Sequence, residues 1–110
     1  MAWKAVLEDR VRLGGLKESS LTVYLSSGEL FEAWLSGRRL SLDAVISGVN
    51  QTASDLVSEY VNEYLRSASE SYRRTVLKHL CALFRLCGRP LLDAPRLSIL
   101  FFVLAGRMTQ

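Results

Sequence analysis

Four cations, Arg74, Lys78, Arg85 and Arg89, recur at steps of four, seven and four residues. At about 100° per residue those steps line them up on one side of a helix. A row of cations with no acid among them suits a phosphate backbone, because each displaces condensed counterions and makes binding salt-sensitive. Three of the four are Arg, whose planar fork fits both phosphate oxygens and guanine edges. Arg73 falls off this row but lies in the same helix's first turn, beside Ser69 and Ser71. There, backbone N–H groups and hydroxyls approach a phosphate as well. The same face also fits the solvated outer side of a bundle helix whose cations pair with Glu59 and Glu63 of a neighbour. Spacing alone does not choose between the two.

Other reactive residues form no constellation. Cys81 and Cys87, six apart in one helical stretch, point in different directions and stand too far apart to bridge. Both read as buried, reduced thiols. With one His and two Cys at no ligand spacing, no metal site is expected. His79 flanks an apolar arc and reads as a hydrogen-bonded histidine at the edge of the core; it does not face Cys81, two residues on. Tyr24, Tyr60, Tyr64 and Tyr72 sit among aliphatics at helical spacing and read mostly as packing residues. Ser, His and Asp are scattered, and neither a Walker-type loop nor G-x-G-x-x-G occurs. The chain alone is therefore expected not to be an enzyme, with no catalytic residue, no cofactor and no metal.

The elements that must position the basic row follow from composition and period. The 110 residues are 49% hydrophobic and 23% charged, which suits one folded domain with a single core and excludes disorder. The net charge of +3 conceals a segregation. Residues 1–17 carry four bases and two acids, residues 18–65 two and seven, and residues 66–110 eight and two. One end is electropositive, as in chains that meet a polyanion. The N-terminus has acids where a signal peptide needs an apolar run. The longest apolar stretch, residues 97–105, is about half a membrane span. A cytoplasmic, soluble protein that does not enter membranes is expected.

The pattern is helical throughout, with neither a period-2 strand nor a hairpin signal. Trp3, Val6, Leu7 and Val11 share a face of a short helix that ends at Gly14-Gly15. A second helix starts at Ser19 or Ser20, both good N-caps, and stops at Gly37; its stripe is Leu21, Tyr24, Leu25, Phe31 and Leu35, with Gly28 in register. Ser41 or Asp43 caps a short turn ending at Gly48. A capping box at Thr52–Asp55 opens a helix over 53–65, and a second at Ser67–Glu70 opens one over 69–87, closed by Gly88 and Pro90. In that last helix Tyr72, Val76, Leu80, Leu83, Phe84 and Cys87 form a broad apolar arc.

One block runs Leu16-Lys17-Glu18-Ser19-Ser20-Leu21-Thr22-Val23-Tyr24 and continues to Leu30-Phe31-Glu32-Ala33-Trp34-Leu35. A second is Ser69-Glu70-Ser71-Tyr72-Arg73-Arg74 followed by Leu80-Cys81-Ala82-Leu83-Phe84-Arg85-Leu86. The two resemble the first and last helices of the N-terminal core-binding domain of tyrosine recombinases, the phage integrase and Xer-type family. The resemblance covers about residues 16–95 and implies an all-α, compact four- to five-helix SAM-like bundle. It divides the chain into a helical extension over 1–15, the core-binding-type domain over 16–95 and an apolar segment over 96–110. It also implies a non-catalytic domain gripping double-stranded DNA, with contacts at Lys17, Ser19 and Ser20 and at Ser71, Arg73, Arg74 and Lys78. The cation spacing adds Arg85 and Arg89. Where the family often has Arg after the first-helix Tyr, Leu25-Ser26-Ser27 stands here, and the catalytic residues belong to a second domain that this chain lacks. The alternatives are a helical interaction or oligomerisation module, using the apolar Trp3–Val11 face and residues 97–104, and a small helix-turn-helix regulator built from the last two helices.

Overall fold

Leu7, Phe31, Leu35, Leu42, Val57, Val61, Leu80 and Leu83 are shut off from solvent completely, and the helices that carry them define the architecture. The computed structural model describes residues 2–91. In chain order these form α1 (Trp3–Arg12), α2 (Glu18–Ser36), α3 (Leu42–Ser47), α4 (Asn50–Glu59), a π-helical turn over Tyr60–Tyr64, and α5 (Glu70–Leu86). The fold is an all-α bundle of five helices, with no strand among the described residues. α2 and α5, the two longest helices, make the main packing pair, and α1 lies against both.

The 1–15 segment is part of this core. α1 contributes Trp3 and Leu7 to the same buried cluster as Phe31, Leu80 and Leu83. By area bookkeeping their burial is worth about 5 kcal/mol. Trp3 also donates its backbone N–H to Asp43 Oδ1 at 2.8 Å and its indole N–H to Glu32 Oε2 at 3.2 Å. The Glu32 carboxylate accepts from Leu42 N as well, at 3.3 Å, joining α1, α2 and α3 at one point. The indole packs this closely because residue 28 is glycine. A Cβ there would stand 2.5 Å from Trp3 Cη2 and 2.8 Å from Leu83 Cδ1. The Trp3–Val11 face is therefore an interior surface, and the expectation that it serves as an exposed contact surface is corrected.

Three helices end with the same reversal, in which the residue beyond a left-handed position donates back to the last turn. Gly15 N donates to Arg10 O at 2.8 Å, Leu40 N to Leu35 O at 3.1 Å and Arg89 N to Phe84 O at 3.0 Å. Two left-handed positions hold glycine, Gly14 and Gly88, but the third holds Arg39 at φ +60°. Gly37, expected to stop α2, has a right-handed helical φ of −65°.

The starts of α2 and α4 depart from the capping expectations in the same way. α2 begins at Glu18 behind an extended Lys17, and α4 at Asn50 behind an extended Val49, neither with a side-chain cap. Ser19, Ser20 and Thr52 are thus inside their helices. Ser41 does cap α3, accepting from Ala44 N at 3.1 Å, and Asp43 holds Trp3 instead. The 53–65 stretch is not one α-helix: at its end Leu65 N donates to Tyr60 O, five residues back, at 3.0 Å. That wider turn buries Tyr60 and Val61 and turns Tyr64 outward, 61% exposed. Tyr60 stacks on Tyr64 at 5.5 Å and meets Phe31 at 5.0 Å and Trp34 at 5.3 Å. Burial, then the neighbouring Tyr72 and Tyr64 hydroxyls, push its pKa up to about 12.

Candidate nucleic-acid interface

α5 starts where Ser69, in extended conformation, accepts from Tyr72 N at 3.1 Å. Ser69, and not Ser67, is the cap. Glu70 stands in the first turn, where a carboxylate complements the helix dipole. From there Ser71, Arg74, Thr75, Lys78 and Arg85 are exposed, on the side opposite buried Val76, Leu80, Leu83 and Phe84. Ser71, Arg74, Thr75, Leu77 and Lys78 together line a shallow surface depression. Thr75 is a member that spacing alone did not single out; it sits one turn after Ser71 and donates its hydroxyl to Ser71 O at 3.0 Å.

The cations on this face differ in state. Arg74 is engaged by Glu70 of its own helix, donating Nε at 2.9 Å and Nη2 at 2.6 Å to one carboxylate oxygen. The row therefore has an acid beside its first member. Both groups are solvent-exposed, so the pair is worth little and a phosphate can replace it. Lys78 and Arg85 make no ion pair among the described residues. Glu59, a candidate partner for the row, instead pairs with Arg38 at 2.9 Å, whose guanidinium lies 4.3 Å over the Trp34 ring.

Arg73 is corrected. It is only 3% exposed, donating Nε to Val61 O at 2.9 Å and Nη2 to Asn62 Oδ1 at 3.3 Å. Its guanidinium fastens α5 to the π-helical turn from inside and is not presented to a phosphate. Arg89 is also committed: past the end of α5, it donates Nε to Ile46 O at 3.2 Å and Nη2 to Gly48 O at 2.6 Å, closing the C-terminus of α3. Tyr72, placed in the apolar arc by its spacing, is 44% exposed.

α2 crosses α5 at its middle. Ser27 Oγ and His79 Nδ1 are hydrogen-bonded at 2.7 Å, and Tyr24 meets the His79 ring edge-on at 5.6 Å. His79 is thus the edge-of-core histidine its position suggested, and burial holds its pKa below the ordinary value. Lys17 and Ser19 are exposed and Ser20 is half-buried. At 1.5 Å per residue they lie about 10–15 Å along α2 from the crossing, a cation and two hydroxyls at the start of that helix. Cys87 is buried and Cys81 half-buried, both free, and burial raises both thiol pKa values.

Among the described residues no group of three His, Cys, Asp or Glu stands close enough to hold a metal, and no helix is long and apolar enough to cross a membrane. No family model, curated protein or solved structure matches the chain.

Proposed function

We propose that this chain is a non-catalytic duplex-DNA-binding domain of the tyrosine-recombinase core-binding type, using the outward face of α5. The observation that carries the reading is that Ser71, Arg74, Thr75, Lys78 and Arg85 share that exposed face, while the helix behind it is locked into the core. Lys78 and Arg85, seven residues apart, stand about 10 Å from each other along the axis, a separation that meets two phosphates. Ser71 and Thr75 add hydroxyls, and Arg74 adds a cation once it releases Glu70. Lys17 and Ser19 contribute from the start of α2. The 66–110 stretch is basic and the 18–65 stretch acidic, a segregation of charge along the chain that suits a polyanionic partner.

The test is duplex-DNA binding across a salt series, for the parent chain and for the Lys78→Ala, Arg85→Ala double variant. Both positions are exposed, so circular dichroism should show an unchanged fold. Loss of two phosphate contacts should lower the slope of log K against log salt by about 2. Parent-like affinity and slope in the double variant would remove α5 as the contact face.

A further inference from the structure

α5 carries Arg73, Arg74, Lys78 and Arg85 but a single acid, Glu70. Arg73 is spent inside the protein, which leaves three cations on the outward face. Glu70 stands one turn before Arg74, two before Lys78 and about four before Arg85, so it engages the first alone. An acid four residues N-terminal to a cation is also the order in which a helical ion pair forms best. One carboxylate oxygen, Glu70 Oε1, accepts both Arg74 Nε–H at 2.9 Å and an Nη2–H at 2.6 Å. Those two donors are the side-on fork of the guanidinium, the pair that a phosphate would otherwise occupy.

We propose that Glu70 competes with the DNA backbone for Arg74 and so sets how tightly the α5 face holds a duplex. This rests on the DNA-binding reading and concerns the regulation of that same face. A duplex lying across Lys78 and Arg85 meets cations that make no ion pair among the described residues. To gain the third cation it must take the Arg74 fork from Glu70. The displaced carboxylate then stands beside a phosphate, and like charges repel. The Arg74 and Glu70 side chains are 66% and 45% exposed, so water screens the pair and the exchange is graded, not a lock. Arg74 therefore contributes only when a phosphate seats at the first turn of α5, beside Ser71 and Thr75. Glu70 also complements the N-terminal dipole of the helix, but that role involves no particular cation, whereas competition acts through Arg74.

The test is a double-mutant cycle on duplex-DNA affinity at fixed salt, using the full chain as parent, Glu70→Gln, Arg74→Ala and the double variant. All four positions of the cycle lie on the exposed face, and circular dichroism should show equal helicity. Removing one negative charge raises affinity through space whether or not Arg74 is present. Competition adds to that gain only when it is. Glu70→Gln should therefore gain more in the parent than in Arg74→Ala, by a factor of about three or more, the scale of an exposed ion pair. A second cycle with Lys78→Ala in place of Arg74→Ala should show no such excess. Equal gains with and without Arg74, or the same excess with Lys78, would overturn the proposal and leave the DNA-binding reading standing. Failure of the parent and of Glu70→Gln alike to bind duplex DNA would overturn both.

Discussion

The Nε–H of Arg73 points at the carbonyl oxygen of Val61 across 2.9 Å, inside the protein and away from any surface a ligand reaches. Val61 belongs to the π-helical turn, where backbone pairing has shifted to five residues. A side chain from the next helix meets the carbonyl there. The arginine therefore joins two consecutive helices across the 65–69 connection, in addition to the core that Tyr60 and Val61 share with α5.

Removing that guanidinium leaves a buried carbonyl without its charged donor. Arg73→Ala should cost about 2–3 kcal/mol of stability in urea denaturation followed by circular dichroism. Arg85→Ala, on the exposed face, should stay within about 0.5 kcal/mol of the parent. Equal stability of the two variants would show that Arg73 fastens nothing.

Gly28→Ala places a methyl group against both the Trp3 ring and Leu83. Neither can retreat, since each is buried. Thermal melts should show a loss of about 1–3 kcal/mol, with tryptophan emission, to which Trp3 and Trp34 both contribute, shifting to the red as the packing around Trp3 loosens. An unchanged melting temperature would mean that α1 can shift away without penalty.

Arg39 occupies a left-handed backbone position that costs a side-chain-bearing residue about 1–2 kcal/mol. Glycine avoids this cost but loses about 0.5–1 kcal/mol through its freer unfolded chain. Arg39→Gly should therefore stabilise the fold by about 0.5 kcal/mol, read as a higher urea midpoint at constant slope. A lower midpoint would mean that the Arg39 side chain contributes contacts outweighing the backbone strain.

His79 has its pKa depressed by burial, so the folded state holds it neutral while the unfolded chain protonates near pH 6.5. Between the depressed folded value and 6.5 the unfolded state binds more protons, and stability rises with pH. The contribution is complete above the unfolded value and declines as acid is added below it. Melts between pH 5 and 7.5 should show this slope in the parent and a shallower one in His79→Gln. Parallel curves would assign the acid sensitivity to other groups.

The helix count and most core positions were readable because amphipathic period directly reports which side is buried: Val76, Leu80, Leu83, Phe84 and Cys87 are all interior, as their spacing implies. Arg73 shares that register, seven residues before Leu80 and fourteen before Cys87, yet its charge argues for the surface. Only tertiary context, a carbonyl turned inward at Val61, makes a buried guanidinium acceptable. The π-helical turn was not readable, since one extra residue in a turn leaves composition unchanged while turning Tyr64 outward. Capping signals misplaced α2 and α4, which start without a side-chain cap. Of the α5 row, Arg74, Lys78, Arg85 and Arg89 are all exposed, but Arg89 follows the helix end and donates to Ile46 O and Gly48 O.

That last contact has a mechanical consequence. Arg89 grips Ile46 O and Gly48 O, and Asn50 Nδ2 donates to Pro90 O at 2.9 Å. A pull on the chain beyond Leu91 is thus borne first by the junction of α3 and α4, loading three hydrogen bonds together. α5 is spared from being peeled off turn by turn, and tension arriving from the C-terminal side would be delivered to the middle of the bundle with the basic helix still in place.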